Sequence, residues 1–237
     1  MKIAIIGYGR MGKEIEKLAL QRGHKIIFTI DQNNWKEVKS ENFKQADVAI
    51  EFTHPESAYQ NILHCFKANV PVVSGTTGWM DNLEKAIELC KSERKTFFYA
   101  SNFSLGVNLF FKVNDYLAQL MDNYPDYKVN IEETHHTQKL DTPSGTAISL
   151  AKGIIKNINR VNQWKKENAE DVGIVPVKSF RIGNVSGNHK VMYESEFDKI
   201  TIEHDAKNRI GFALGAVLAA EFIYNKKGFY TMNDLIR

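Results

Sequence analysis

The sequence contains few residues of several types, and each shortage excludes some classes of protein. Only two of its 237 residues are cysteines, and neither belongs to a CxxC pair or to a metal-ligand spacing. We interpret them as reduced packing residues of a cytoplasmic protein. Five prolines and the lack of any low-complexity segment exclude a disordered or linker-rich chain. With 43% apolar and 25% charged residues, the chain can fill one large or two small domains.

Long apolar runs and blocks of one charge are also missing. The amino-terminal stretch MKIAIIGYG has only a short apolar run before a glycine loop, too short for a signal peptide or a membrane span. The formal net charge of +3 is not gathered into a dense block of lysine and arginine. We therefore expect no nucleic-acid partner and no membrane partner, whereas a small anionic ligand suits this charge.

The amino-terminal part of the chain alternates between β-rich and helical stretches. Helical spacing predicts helices at Lys13–Arg22, Glu56–Lys67 and Asn82–Lys91. The predicted strands are KIAIIG, KIIFTID, VAIEF, PVVSG and TFFYA. Strands that alternate with helices indicate βαβ units, and hence a parallel sheet.

The pattern changes after Asn102. We predict a helix at Val107–Leu120, a strand at Tyr127–Thr134, a helix from Pro143 and a polar stretch at Asn157–Asp171. The runs VKSFRIG, HKVMYES and KITIEHD follow, spaced like antiparallel strands. The last helix has an apolar side that would pack on either domain, formed by Ala213, Ala216, Val217, Ala220 and Phe222.

These elements predict an α/β protein with a Rossmann-type parallel sheet at the amino end. A second α+β domain would follow on a mixed, largely antiparallel sheet. We expect a dinucleotide-binding domain at 1–104, to which 209–237 returns. Residues 105–208 would form the substrate-binding and oligomerisation domain.

The first chemical signal is the glycine loop that follows the first strand and opens the first helix. Its residues are Gly7, Tyr8, Gly9, Arg10, Met11 and Gly12. Asp31 stands at the end of the next strand, where it would accept hydrogen bonds from an adenosine ribose while the loop approaches the pyrophosphate. The competing interpretation is an ordinary turn with an incidental aspartate. No arginine adjoins Asp31, which favours NADH, although Arg10 leaves NADPH open.

Two further loops follow predicted strands, where ligands of open α/β sheets bind. The first contains Gly75, Thr76 and Thr77, and the second contains Ala100, Ser101, Asn102 and Phe103. Both would border a nicotinamide, although plain turn chemistry explains them equally well.

The stretch HHTQKLDTPSGTA carries the second signal. Pro143 suits a first helical turn, with Thr142 or Asp141 as its N-cap. Free amides near Gly145 and Thr146 would then form an anion site at the positive end of the helix. Two histidines, His135 and His136, and the ammonium of Lys139 add proton donors and positive charge. Adjacent histidines point apart in an extended chain and no third ligand is obvious, so we expect no metal.

The segment ETHHTQKLDTPSGTA, together with GRMG, SGTTG, ASNFSLGVN, GNVSGNH and FALGAV, resembles the 4-hydroxy-tetrahydrodipicolinate reductase family over most of the chain. One departure is the glycine loop, which is one residue shorter than the GxxGRMG form common in that family. The resemblance implies reduction of a cyclic dicarboxylate with NADH or NADPH in the diaminopimelate route to lysine. It also implies a homotetramer assembled through the sheet of the second domain.

The same resemblance implies a role for each matching residue. His135 would be the general acid and base, and Lys139 a second proton donor. His136 would bind substrate alongside Gly145 and Thr146. The segments Gly75–Thr77 and Ala100–Phe103 would border the nicotinamide.

Two other functions stay open from the residues alone. A redox-sensing module would bind a dinucleotide without turnover, which leaves the cluster of His135, His136 and Lys139 unexplained. A related reductase would act on another imine, as an amino-acid dehydrogenase does.

Overall fold

The computed structural model describes residues 1–166, 173–208 and 210–236. The chain divides into two compact units, one formed by Met1–Leu105 with Ile210–Arg237 and the other by Gly106–Arg209. None of the helices in the described ranges is both long enough and apolar enough to cross a membrane.

The first unit is a six-stranded parallel sheet with helices on both faces. Its strands are β1 (Lys2–Ile6), β2 (Lys25–Ile30), β3 (Val48–Glu51), β4 (Val72–Ser74), β5 (Thr96–Tyr99) and β11 (Gly228–Tyr230). Its helices are α1 (Arg10–Gln21), α2 (Pro55–Lys67), α3 (Met80–Ser92), α6 (Ile210–Ile223) and α7 (Met232–Leu235), with 3₁₀ turns at Trp35–Lys39 and Glu41–Gln45. The strand order is β11-β5-β4-β3-β1-β2.

Both faces of this sheet are buried, which explains why its strands read as continuous apolar runs. Along β1, Ile3 and Ile5 pack on the side of α1 and α6, while Ala4 and Ile6 pack on the side of α2 and α3. The Rossmann-type prediction is therefore confirmed. Helix α1 begins at Arg10, three residues before the predicted Lys13, because the glycine loop runs directly into the helix, with Gly9 as its N-cap and Gly12 in its first turn. Glycine is unfavourable inside helices, so the pattern placed the start after Gly12. The short elements β11 and α7 were not predicted.

The second unit is built on a five-stranded mixed sheet. Its elements are α4 (Leu105–Met121), β6 (Lys128–His135), α5 (Gly145–Asn157), β7 (Gln163–Lys166), β8 (Ile174–Arg181), β9 (Asn188–Glu194) and β10 (Lys199–Asp205). The strand order is β10-β9-β6-β8-β7. The polar stretch predicted at Asn157–Asp171 contains β7, and its part from 167 onward lies outside the described residues.

The mixed sheet is confirmed, but its parallel share is larger than expected. Strand β9 pairs antiparallel with β10 and β6, whereas β8 pairs parallel with β6 and β7. The three alternating runs are thus not three antiparallel neighbours, because β6 lies between β8 and β9. Alternation shows which face of a strand is buried, but it does not identify the neighbouring strand.

Helix α5 starts later than predicted. It begins at Gly145, and its N-cap is Ser144, whose Oγ accepts a hydrogen bond from the Ala147 amide at 3.2 Å. Neither Thr142 nor Asp141 is the cap, and Pro143 precedes the helix behind a cis peptide bond. An apolar stripe of Ala147, Leu150, Ala151, Ile154 and Ile158 is fully buried, and Ile155 is partly buried.

Candidate functional site

A cavity of about 720 Å³ lies at the carboxyl ends of β1, β2 and β3 in the first unit. Six of the predicted cofactor residues line it: Gly7, Tyr8, Gly9, Arg10, Met11 and Asp31. The sequence pattern did not indicate Phe52, Thr53 and His54, which also line it. Their signal was present, since Phe52 ends the predicted strand VAIEF, and Thr53 and His54 directly follow it at the same edge of the sheet.

The three glycines of the loop have three different roles. Gly7 has φ +97°, and a Cβ there would lie 1.9 Å from the Phe52 carbonyl oxygen. A Cβ at Gly12 would lie 2.4 Å from the Gly7 carbonyl oxygen, so this glycine lets α1 approach the strand. A Cβ at Gly9 would meet nothing within 4 Å, which leaves that backbone open toward the cavity. This division of roles fits a pyrophosphate cradle at a helix N-terminus.

Asp31 is held in a local turn at the end of β2. Its Oδ1 accepts a hydrogen bond from the Asn33 amide at 2.7 Å, and its own amide donates to Asn34 Oδ1 at 2.8 Å. The carboxylate is therefore fixed on the wall of the cavity. This position suits an acceptor for ribose hydroxyls.

The two predicted nicotinamide loops lie at the ends of β4 and β5, and several of their residues are buried packing groups. A Cβ at Gly75 would fall 2.2 Å from the Phe52 ring, whose centroid lies 5.5 Å from that of Phe103. Thr76 and Ala100 are also buried. Thr77 and Ser101 are exposed, and Gly75 and Asn102 are partly exposed.

A buried carboxylate that was not predicted joins the loops after β3 and β4. Glu51 is fully buried and accepts hydrogen bonds from Ser74 Oγ at 2.6 Å, Thr76 Oγ1 at 2.8 Å and the Thr53 amide at 3.1 Å. Burial raises the pKa of Glu51, and these hydrogen bonds oppose the rise. Glu51 therefore fixes the part of the cavity wall that Thr53 forms.

A second polar cluster lies in the other unit, where the sheet register places its members. Strand β6 buries Glu133 and His135 on the face that it also uses for Val129. Across the sheet, Glu133 lies opposite His189 of β9, and His135 lies opposite Arg181 of β8. Three strands thus bring a carboxylate, two imidazoles and a guanidinium to one end of the sheet.

Glu133 is the centre of this cluster. Its Oε2 contacts His135 Nδ1, and its Oε1 accepts hydrogen bonds from Arg181 Nη2 at 3.0 Å and the Ser144 amide at 3.2 Å. Burial favours the neutral acid, but the partners His135, Ser179 and Arg181 outweigh it and hold the pKa of Glu133 at about 2. The group is an ionised carboxylate at neutral pH.

His189 is a neutral imidazole beside this carboxylate. Burial, and then the nearby His135, lower its pKa from an ordinary 6.5 to about 3. Its Nε2 lies 3.1 Å from Ser144 Oγ, and its ring meets the His135 ring edge to face with centroids 5.0 Å apart. His189 therefore links the start of α5 to His135.

Acidification is expected to destabilise the fold through His189. Because its folded pKa lies below the unfolded value, its contribution is complete above pH 6.5 and declines as pH falls toward 3. At pH 5 the loss is about 2 kcal/mol. Urea unfolding at pH 7 and pH 5 measures it, and His189→Gln should show a smaller pH dependence than the exposed control His54→Gln. Equal dependence in both variants would contradict this assignment.

The structure places the other two residues predicted around His135, His136 and Lys139, in separate surroundings. His136 lines a cavity of about 200 Å³ with Gln138, Asn184 and Ser186. Lys139 Nζ forms an ion pair with Asp141 Oδ1 at 2.7 Å, an interaction that also lowers the pKa of Asp141. Lys139 is thus held by a carboxylate of its own loop rather than by the histidines.

The start of α5 keeps the features of an anion site. Ser144 Oγ accepts a hydrogen bond from the Ala147 amide. Within the described residues, the Gly145 and Thr146 amides have no hydrogen-bond partner. Gly145 is exposed and Thr146 is half-buried. These two amides, with the positive end of the helix dipole behind them, favour a carboxylate ligand.

Comparison with known proteins decides the family. The family model described as "Dihydrodipicolinate reductase, N-terminus" matches residues 1–103, and "Dihydrodipicolinate reductase, C-terminus" matches residues 106–236. The chain belongs to the dihydrodipicolinate reductase family. Both groups of predicted site residues lie inside the matched segments.

Individual relatives agree with this family. The chain is 51% identical over 236 residues to the 4-hydroxy-tetrahydrodipicolinate reductase of Christiangramia forsetii, covering 100% of this chain and 98% of the relative. It is 32% identical to the enzyme of the same name from Staphylococcus epidermidis, covering 99% and 100%. A dipicolinate-bound dihydrodipicolinate reductase from Paenisporosarcina sp. TG-14 has a similar fold, with a TM-score of 0.78, 24% identity and coverage of 98% and 97%.

The cluster of the second unit also has the composition of a metal site. Ligand atoms of Glu133, His135 and His189 all lie within 4.8 Å of one another. Arg181 already neutralises the carboxylate, and a cation would have to share the site with this guanidinium. The arrangement therefore favours proton transfer over metal binding. The sequence analysis found no third ligand near the histidine pair, whereas the structure brings Glu133 and His189 to His135; His136 is not a member of this group.

Proposed function

We propose that this protein reduces 4-hydroxy-tetrahydrodipicolinate to tetrahydrodipicolinate, on the diaminopimelate route to lysine. One reduced nicotinamide and one proton are consumed, and one water and one oxidised nicotinamide are released. The single observation that carries the proposal is the Glu133–His135 pair beside the start of α5, in a chain that matches both halves of the family.

The first unit fits the cofactor. The open backbone at Gly9 and the fixed carboxylate of Asp31 line one cavity, as a dinucleotide requires. Hydride transfer to the conjugated imine is the chemistry that NADH or NADPH supplies when bound. The loops with Gly75, Thr76 and Thr77 and with Ala100, Ser101, Asn102 and Phe103 are proposed to border the nicotinamide.

The second unit supplies binding and proton transfer. We assign the amides of Gly145 and Thr146, with His136, to the substrate carboxylates. The proton that the reduced ring needs comes from Nε2 of the protonated His135 ring, whose Nδ1–H stays against Glu133. Lys139 is the second proton donor in this scheme, and opening of its ion pair with Asp141 would release it.

Steady oxidation of reduced nicotinamide tests the function. The purified protein is mixed with NADH or NADPH and with 4-hydroxy-tetrahydrodipicolinate generated enzymatically in the same vessel. Turnover that requires this substrate supports the proposal. Nicotinamide binding without turnover favours the redox-sensing module, and faster turnover of an acyclic imine favours the amino-acid dehydrogenase type of reductase.

Asp31 is expected to set a preference for NADH. Its carboxylate suits free ribose hydroxyls and repels a 2′-phosphate, while Arg10 on the same cavity wall limits the discrimination. We expect a modest preference for NADH or dual use in kcat/KM. Asp31→Ser should shift the ratio toward NADPH, and Asp47→Ser is a control at another surface carboxylate. A wild-type kcat/KM for NADPH more than about tenfold above that for NADH, a difference near 1.4 kcal/mol, would reject this role.

We further propose that the protein is a cytoplasmic homotetramer assembled through the sheet of the second unit. Helices α4 and α5 pack on the face that carries Val129 and Ile131. The other face presents Asn130, Glu132 and Met192, each partly exposed, a mixture of polar and apolar groups that suits an interface. The buried free thiols of Cys65 and Cys90 suit a reducing compartment.

A further inference from the structure

We infer that Glu133 is the positioning residue of the proton donor: it holds the Nδ1–H of His135, so that Nε2 faces the substrate and the protonated ring gives up its Nε2 proton, leaving a neutral ring with its proton on Nδ1. Arg181 completes this arrangement by holding Glu133. The inference rests on the proposed function for its catalytic meaning, whereas the orientation of the imidazole is a property of the protein alone.

The strand geometry places the two side chains together. Glu133 and His135 are two residues apart on β6, so both point to the same buried side of the sheet. The Glu133 side chain is fully buried, and Oε2 contacts His135 Nδ1. An ionised carboxylate can only accept hydrogen bonds. The nitrogen that faces it must therefore carry the proton.

The other carboxylate oxygen keeps Glu133 from turning away. Oε1 accepts from Arg181 Nη2 at 3.0 Å and from the Ser144 amide at 3.2 Å. A buried carboxylate with partners on both oxygens has a single favourable orientation. The Ser144 contact also ties this orientation to the N-cap of α5, where the substrate carboxylate is proposed to bind.

Arg181 connects the same carboxylate to the loop before α5. Its Nη2 donates to the Asp141 carbonyl at 2.7 Å and to Thr142 Oγ1 at 2.9 Å, and its Nε donates to the Lys139 carbonyl at 3.3 Å. One guanidinium thus fixes both Glu133 and the backbone that carries Lys139. A lysine cannot reproduce this fork of donors.

The free nitrogen of His135 lies beside Gly187. A Cβ at Gly187 would be 3.0 Å from His135 Nε2 and 3.3 Å from its Cδ2. Gly187 has φ +154°, and its lack of a side chain leaves room against this nitrogen. The two ring nitrogens therefore have different surroundings, a carboxylate at Nδ1 and a backbone without a side chain near Nε2.

The central experiment compares Glu133→Gln with Glu196→Gln in the whole enzyme. Glu196 is exposed in the turn between β9 and β10 and is a control for the same carboxylate-to-amide change. We expect Glu133→Gln to lower kcat roughly 10- to 100-fold while KM for the cofactor stays unchanged. The alkaline limb of its pH–rate profile should move to lower pH, because a neutral amide no longer stabilises the imidazolium. Glu196→Gln should match the wild type in both readouts.

Glu133→Asp separates the effect of the carboxylate charge from the effect of side-chain length. It keeps the carboxylate but shortens the side chain, so kcat should fall while the alkaline limb stays near the wild-type position. A purely structural role of Glu133 would leave the limb unmoved in both variants. That result, or a wild-type kcat in Glu133→Gln, overturns the inference.

Nitrogen-15 spectra of histidine in the wild-type protein test the same inference without turnover and without a variant that must fold. They should show the neutral His135 ring protonated at Nδ1. A ring protonated at Nε2 instead overturns the positioning role. If the wild type does not turn over 4-hydroxy-tetrahydrodipicolinate but His135 carries its proton on Nδ1, the proposed function fails and the inferred orientation stands.

Discussion

Replacing His135 with glutamine is expected to lower kcat by about 10²- to 10⁴-fold with little change in KM for the substrate, since a positioned acid acts mainly in the transition state. Glutamine has a similar size and can still contact Glu133. The decrease in kcat therefore measures the loss of proton transfer and not a change in packing. Steady-state kinetics at saturating cofactor measure both constants. The cluster around Glu133 gives this prediction its structural basis.

The neighbouring histidine provides the matched comparison. His136 lines the cavity with Gln138, Asn184 and Ser186 rather than joining the Glu133 cluster. His136→Gln should therefore act chiefly on KM, with kcat within a few-fold of the wild type. Small and equal effects of both replacements would indicate that the two histidines have only structural roles.

The first unit could be predicted well because its signals are local. The glycine loop and Asp31 lie within one βαβ unit, so residues close in sequence build one wall of the cavity. Phe52 and Thr53 were missed although they lie at the end of a predicted strand, because neither residue type by itself marks a binding loop. Glu51 was also missed, since a carboxylate inside an apolar strand acquires partners only from the adjacent loops.

The second site was predicted less completely because sheet pairing builds it. Along β6, the period-2 alternation that buries Val129 and Ile131 continues for two further steps to Glu133 and His135. Arg181 lies 48 residues from Glu133 and reaches it only because β8 pairs parallel with β6. No local pattern contains that pairing.

The start of α5 shows two local rules in competition. Proline favours a first helical turn, which placed the start at Pro143, and serine favours the N-cap, which places it after Ser144. The structure has the serine cap, and Ser144 serves three partners there: the Ala147 amide, His189 and Glu133. Only these tertiary partners decide between the two rules.

Ligands with two carboxylates are expected to bind far better than ligands with one. Pyridine-2,6-dicarboxylate copies a planar ring with both carboxylates but cannot accept hydride in the same way, so it should inhibit competitively against the substrate. Pyridine-2-carboxylate leaves one set of donors unpaired, and charge-assisted hydrogen bonds contribute roughly 1.5–3 kcal/mol each. We therefore expect its inhibition constant to be at least about tenfold higher.

Thr146→Val should assign this selectivity to the start of α5. Loss of the hydroxyl should weaken the dicarboxylate about tenfold, near 1.4 kcal/mol, while the Gly145 and Thr146 amides retain part of the site. Ser149→Ala is the control, because the Ser149 hydroxyl donates to the Gly145 carbonyl at 2.9 Å within the helix. Inhibition constants for both ligands on the three proteins complete the test. Two results would contradict this assignment: equal binding of the mono- and dicarboxylate, or equal behaviour of Thr146→Val and Ser149→Ala. In either case the helix start does not hold the substrate carboxylate, and a reductase for another imine becomes the better description.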